Sequence, residues 1–491
     1  GNAIVIDSHS TVLPQIMTSI PESATPALFQ FFQFALNPTS YQTHLSRRFG
    51  DIFRAYISFR RQQYGQETRL FILSEPKALQ QILSQDTGKV FSAPGEVNQL
   101  LAPLVGNNSV ILVSGQTHRR RRQMVTPPFH GERLKVFGDL ILQITGEVMA
   151  EVPADRPFSA RFYMQKLTMR VILEAVFGLH QSDRYQTLEK LLADRVNMSS
   201  TPLTSLSLFI PALQKDWGPW SAGRRVKHLA AAIDAILFAE IEERRQTGVA
   251  DRTDVLSLLM AAEDENGDSM SNEELRDELL TLLLAGHETT ATALTWALYW
   301  LHRHPETRTK IRAELDTVPT PWDPMALLRL PYLSAFCNEV LRIHPVAMFT
   351  FPRRVEQPVT LLNHELRQGD LIMGSIYLLH QREDLYPNSQ EFRPERFLER
   401  EFSPYEFMPF GGGVRRCVGS ALALYELKLA LAQMVQHWEL SLETQRTLKP
   451  YRRGLTLGPN GEVMLRKVAD RSPSLPTPTP IAPPETPVLS R

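Results

Sequence analysis

Residues 410–419, FGGGVRRCVG, hold one of only two cysteines in a chain of 491 residues. A cysteine that ligates a metal acts as a thiolate, a form that nearby positive charge and main-chain N–H groups stabilise. Gly411, Gly412 and Gly413 permit the tight backbone that turns N–H groups toward the sulfur of Cys417. Gly419 leaves room for the following helix to approach something flat and bulky. Arg415, two residues before the cysteine, can bind an anionic group beside the metal. The ordinary fate of a lone cysteine is to pack as a small hydrophobe. That fate does not call for the spacing F-x-x-G-x-R-x-C-x-G.

Other stretches carry weaker signals. AGHETT (285–290) sets two small residues, Ala285 and Gly286, before an acid and a hydroxyl, Glu288 and Thr289. Small side chains open a notch in a helix face, and an acid beside a hydroxyl suggests proton delivery. The alternative is a solvated Glu and a Thr bonded to its own helix. Glu339 and Arg342 in NEVLR form an i,i+3 pair on one helix face. In GQTHRRRRQMVTPPF, His118 and Arg122 share a face at i,i+4, while Arg119, Arg120 and Arg121 fan elsewhere.

The elements that must position these residues are mostly helical. Periodicity dominates from about 130 to 345, and SNEELRDELLTLLLAGHETTATALTWALYWLHRHP (271–305) reads as one long helix. Ser271 and Glu274 give it a capping-box start and Pro305 a stop. Strand and loop follow residue 350, then a last helix, ALALYELKLALAQMVQHW. Residues 201–223 read as a long, partly apolar connection. Residues 472–490 carry seven prolines and read as a disordered tail. The expected class is mainly α with a minor β part, without the strand–helix alternation of a parallel sheet. The expected organisation is a partly extended N-terminal segment (1–39), one domain (40–465) and a Pro-rich tail (466–491).

Lys+Arg and Asp+Glu balance at 53 each, which argues against nucleic acid as a partner. Two cysteines make no disulfide framework, so the chain reads as intracellular and cytoplasmic. No apolar run reaches the roughly 18 residues of a membrane span, and no signal peptide is evident. PALFQFFQFAL (27–37) is too short to span, reading as a buried amphipathic helix with at most weak peripheral membrane contact.

FMPFGGGVRRCVGSALA resembles the cysteine-ligand loop of the cytochrome P-450 (haem-thiolate monooxygenase) family, with Phe410, Gly413, Arg415, Cys417 and Gly419 on the motif positions. The resemblance covers roughly residues 40–465. It implies a triangular, helix-rich prism with haem b between the long central helix and the Cys-loop helix, and Cys417 as axial thiolate. Glu288 and Thr289 fall where the family relays protons to bound dioxygen. His118, Arg122, Arg353 and Arg415 are expected at the haem propionates, with Arg354 competing for the place of Arg353. Phe410 and Gly419 are expected beside the ring. Glu339, Arg342 and Arg396 (in FRPERF) are implied as a buried structural network.

The other basic residues of the 118–122 run, with Arg416, are expected on the proximal surface, steering an acidic donor such as a ferredoxin. The implied pocket wall is Leu100, Leu101, Leu104, Val105, Ala285, Val346, Met348, Phe349, Phe351, Leu455 and Thr456. It is overwhelmingly apolar, which implies a lipophilic guest held by area burial. The pattern, including EVLRIHPVAMFTFPRR, most resembles a cyanobacterial branch linked to long-chain fatty acids, alkanes and terpenoids. Neither a GxGxxG fingerprint nor a P-loop occurs, so electrons are expected from a ferredoxin-type donor with an NADPH-dependent reductase. Hydroxylation or epoxidation with O2, by a monomer, is the implied activity. A peroxygenase or oxygen-rearranging isomerase, which often lacks the acid–Thr pair, and a non-catalytic haem-thiolate sensor are the alternatives.

Overall fold

The computed structural model describes residues 19–57, 62–63, 66–178, 183–199, 216, 218 and 221–470. The Pro-rich stretch beyond 470 and nearly all of the 201–223 connection lie outside the described residues.

The long helix runs uninterrupted from Asn272 to Arg303. The Ser271 hydroxyl accepts from Glu274 N at 3.2 Å and the Glu274 carboxylate from Ser271 N at 2.9 Å, the predicted capping box. Pro305 opens the next helix, Pro305–Leu315. The long helix is buried on nearly every side, as expected for a helix apolar all round. It packs chiefly against the helix Ala160–Phe177, and also against Pro331–Ile343 and the Cys-loop helix Ser420–His437.

A five-stranded sheet joins the two ends of the chain. Ile52–Arg54 pairs antiparallel with Leu70–Leu73, which runs parallel to Leu371–Gly374. That strand pairs with Arg353–Val355, and Phe91–Ser92 closes the far edge. The N-terminal strands therefore belong to the same folded body as residues 353–374.

Residues 27–36 form the expected helix within the N-terminal segment, and Phe31 and Phe34 pack inward. Gln30 is buried with them and satisfied, donating to Thr25 O and accepting from the Tyr41 hydroxyl at 2.9 Å. Leu28, Phe29, Phe32 and Leu36 face outward, so the helix is apolar on both sides rather than a buried amphipath. At the other end, the strand Met464–Asp470 pairs with Trp438–Leu442 and Phe158–Ser159, carrying the folded body past 465.

The Glu339 pair is no surface ornament. Arg342 Nε and Nη2 donate to the two carboxylate oxygens of Glu339 at 2.7 and 2.8 Å, and Arg396 Nε donates at 3.1 Å. Arg342 Nη1 also binds the carbonyls of His380 and Ser389, each at 2.9 Å. All three side chains are buried, so the network ties the helix Pro331–Ile343 to the 380–396 segment. Breaking a buried pair strands the other charges. Glu339→Gln should therefore lower stability by about 3–5 kcal/mol, read from urea unfolding; a change within a few tenths would contradict the role.

Burial, with the charge of Arg161 nearby, holds the His287 imidazole down at about 4. Burial and Arg342 hold His344 and His380 down at about 3. An unfolded histidine titrates near about 6.5, so below that pH the unfolded chain binds protons the folded chain refuses. Stability should fall as pH drops from 6.5 toward 4, by up to about 1.4 kcal/mol per pH unit per histidine. Replacing His380 by Asn should flatten the acid limb of unfolding midpoint against pH; an unchanged limb would exclude His380 from the effect.

Candidate active site

The ligand loop is held from two sides. Cys417 N donates to Phe410 O at 3.0 Å, closing the loop, and Gly411 N donates to Met408 O. Gly411 and Gly413 adopt φ of 67° and 65°, the left-handed region that glycine enters freely. A Cβ at Gly413 would stand 2.1 Å from Asp86 Oδ2. Asp86 is buried, accepts from Val414 N at 3.1 Å, and pairs with Arg353 Nε at 2.7 Å. Sequence reading missed Asp86, which follows the helix Pro76–Leu83 and carries no motif of its own.

Arg353 and Arg354 part company. Arg353 is buried and also donates to Phe351 O and Gly412 O, at 2.6 and 2.8 Å. Arg354 turns outward to Glu96 and Glu356. Arg353 therefore stands with the ligand loop, though behind the cavity wall and committed to Asp86.

Arg415 lines the same cavity and is tied to the backbone around it. Its Nε and Nη2 donate to Ala93 O, its Nη1 to Val110 O and Ile111 O, and its Nη2 also to Val113 O. All five N–H groups are given to carbonyls. Arg415 thereby straps the loop to residues 93 and 110–113.

The Cys417 sulfur opens to a cavity of about 800 Å³. Burial pushes its thiol pKa up, against the Gly419 N–H and the charges of Arg122 and Arg416. On the same side, His118 is held down at about 3 by burial and by Arg415, Arg122 and Arg353. Burial and Arg353 together pull Arg415 down to about 10. The crowded arginines, with Arg122 and the neutral His118 lining the cavity, fit a group that carries its own carboxylates. Phe410 and Gly419 line the cavity too, and a Cβ at Gly419 would meet nothing within 4 Å. A flat ring could lie in that open space, so the residues present fit a haem.

The long helix forms the opposite wall. Ala285 is exposed to the cavity along an otherwise buried stretch. Gly286 serves a second purpose: a Cβ there would lie 2.9 Å from Ile172 Cδ1, so its absence lets the helix Ala160–Phe177 approach. The Thr289 hydroxyl donates to Ala285 O at 2.5 Å. The Glu288 carboxylate accepts from Arg161 Nη2 at 2.7 Å and Gln165 Nε2 at 2.8 Å.

All eleven predicted wall residues, from Leu100 to Thr456, line this cavity. Phe34, Ile172 and Arg195 join them unforeseen, since each comes from a remote element. Two of the basic-run expectations fail. Arg121 is buried and bonded to Glu274, Glu278 and Asn108 O, and Arg120 pairs with Asp264. Those arginines clamp the helix Gly115–Val125 to the long helix, leaving Arg119 and Arg416 exposed. Cys337 is buried, with its thiol pushed up to about 12 by burial.

The pattern of the family described as Cytochrome P450 matches residues 20–465. A Mycobacterium tuberculosis protein provisionally named cytochrome P450 135B1 is 34% identical over 435 residues, covering 88% of each chain. Another from that organism, provisionally named cytochrome P450 138, is 32% identical over 458 residues, 92% of this chain and 98% of its own. Among solved structures, retinoic acid-bound cyanobacterial CYP120A1 superposes with a TM-score of 0.78 at 23% identity, covering 92% of this chain and 100% of that one. The cytochrome P450DA heme domain gives 0.76 at 24%, covering 93% and 99%. A single cysteine at the floor of an apolar cavity, cations beside it and a long helix above are the parts such a site needs. The chain belongs to the cytochrome P450 family of haem-thiolate monooxygenases, with a cysteine as the axial ligand of its haem.

Proposed function

We propose that the protein hydroxylates or epoxidises a long lipophilic substrate of the fatty acid, alkane or terpenoid class. In this reading its electrons come from a separate ferredoxin-type protein fed by an NADPH-dependent reductase. The observation that carries the reading is the cavity of about 800 Å³, walled by Leu101, Leu104, Val105, Met348 and Phe349 and floored by Cys417. Apolar burial at about 25 cal/mol per Å² holds such a guest without directional bonds. The cyanobacterial neighbour was solved with retinoic acid, a long apolar molecule of the same kind.

The haem, once bound, supplies oxygen activation, its thiolate pushing electron density toward O–O cleavage. The chain supplies position and protons. Cys417 would ligate the haem iron, and His118 and Arg122 would hold its propionates. Thr289 turns its hydroxyl from Ala285 O into the cavity to present a proton there. Glu288 lets go of Arg161, takes a proton from solvent water and passes it to Thr289. No helix among the described residues is long and apolar enough to cross a membrane. Leu28, Phe29, Phe32 and Leu36 face outward on the helix that brings Phe34 to the cavity, which supports weak peripheral membrane contact of a cytoplasmic protein.

The reduced, haem-loaded protein should show the red-shifted carbon monoxide Soret band of thiolate ligation, and Cys417→His should lose it; a variant that keeps the band removes Cys417 as ligand. Long-chain acids, alkanes and terpenes should shift the spin state, and product should form with NADPH, ferredoxin reductase and ferredoxin. Failure of every such compound to shift the spectrum would sink the substrate class. Thr289→Ala should leave electron consumption running while product falls by about 10-fold or more, in the range of lost acid–base assistance. Unchanged coupling would remove the hydroxyl from proton delivery.

A further inference from the structure

Behind the cavity wall, the long helix and the helix Pro331–Ile343 bury a run of aromatic rings. Ala293 and Leu341 line the cavity. Three residues on from each, Trp296 and His344 stack with centroids 3.7 Å apart and planes 21° apart. His344 stacks also on Trp300, at 5.7 Å and 23°. Tyr299 stands edge-on between the indoles, 5.7 Å from Trp296 and 5.3 Å from Trp300. Trp300 lies parallel to Phe392 at 4.7 Å and 4°, and is half-buried, so the run reaches the surface there.

Packing alone does not explain these ring types. Both nitrogens of His344 and Nε1 of Trp300 are buried without a hydrogen-bond partner among the described residues. Each such group carries the cost of an unmade buried hydrogen bond, which an all-carbon side chain would avoid. Indole and phenol differ from Phe in one further respect: they give up an electron far more readily. His344, held neutral at about 3, fills the gap between the indoles without adding a charge that would oppose a hole.

We propose that Trp296 and Trp300, bridged by the His344 ring and flanked by Tyr299, form a path that discharges an oxidising equivalent stranded at the active site when no substrate is bound. This rests on the monooxygenase reading of the cavity. Trp296 loses one electron to the oxidised site, which is reduced by one. Trp300 returns one electron to Trp296, and a thiol or ascorbate-type reductant in solution returns one to Trp300. No bond breaks. The Trp296 N–H keeps its hydrogen bond to Leu457 O at 3.1 Å, so the hole on that ring is a cation facing a carbonyl dipole.

The test mixes haem-loaded, substrate-free protein with hydrogen peroxide, freeze-quenches it for electron paramagnetic resonance, and follows haem bleaching in parallel. The carbon monoxide band of each variant is read first, which separates loss of thiolate ligation from loss of the path. The parent protein should give a tryptophan-centred radical and slow bleaching, slower still with ascorbate. Trp296→Phe should lose the radical and bleach several-fold faster. Trp300→Phe should retain a longer-lived radical on Trp296, bleach faster, and lose the ascorbate effect. Trp300 is half-buried, so its variant decides the matter alone if Trp296→Phe does not fold. Equal bleaching and an unchanged radical across the set would overturn the path, even with the carbon monoxide band intact.

Discussion

The position of one sulfur atom governs this structure. Cys417 sits on a loop, the least rigid kind of backbone, yet a metal ligand must be held to within a fraction of an ångström. The chain meets that demand with two buried arginines and an aspartate. Arg415 spends its whole guanidinium on carbonyls of residues 93 and 110–113. Asp86 holds Val414 N and orients Arg353, which in turn takes Gly412 O. Gly413 is a glycine because Asp86 occupies the space of its missing side chain. The loop is thus pinned by parts of the chain more than 300 residues earlier.

The same charges that fix the loop shape its electrostatics. Arg353, Arg415 and Arg122 all depress His118, and Arg122 and Arg416 favour the thiolate of Cys417 against burial. A floor this cationic is uncomfortable alone and becomes favourable with an anionic group seated on it. Across the cavity the balance is reversed. Glu288 is already satisfied by Arg161 and Gln165, and Thr289 by its own helix. The floor is therefore built to receive a ligand, while the proton-bearing wall rests in a closed arrangement that a ligand must disturb.

The cysteine loop and the long helix were legible because each is written in contiguous residues, whereas the pocket walls came only with the family resemblance. Capping residues mark the helix, glycines mark the loop, and AGHETT marks the helix position over the cavity. What escaped was pairing between remote segments. Arg121 reads like its neighbours in a basic run, yet burial beneath Glu274 and Glu278 makes it structural. Arg415 matches a motif position, but its acceptors are carbonyls with no sequence identity to read. The N-terminal helix was legible as a helix, but not its outward apolar face, because apolar residues on both sides blur any period.

Buried polar groups in this fold fall into two kinds, and the difference is informative. Around Glu339, every charge finds partners, and Arg342 alone makes contacts with Glu339 and three carbonyls. Such completeness is what a structural network requires, since a half-satisfied one is worse than an apolar core. One turn behind the cavity, His344 and Trp300 sit in the opposite condition, stacked closely but with ring nitrogens unpaired. Glu339 and Arg342 lie on the helix Pro331–Ile343 and His344 caps it, so local packing quality does not separate them from His344. The fold can satisfy buried polar atoms where stability is the purpose. At His344 and Trp300 it leaves ring nitrogens bare, and there the ring itself is what the proposed path uses.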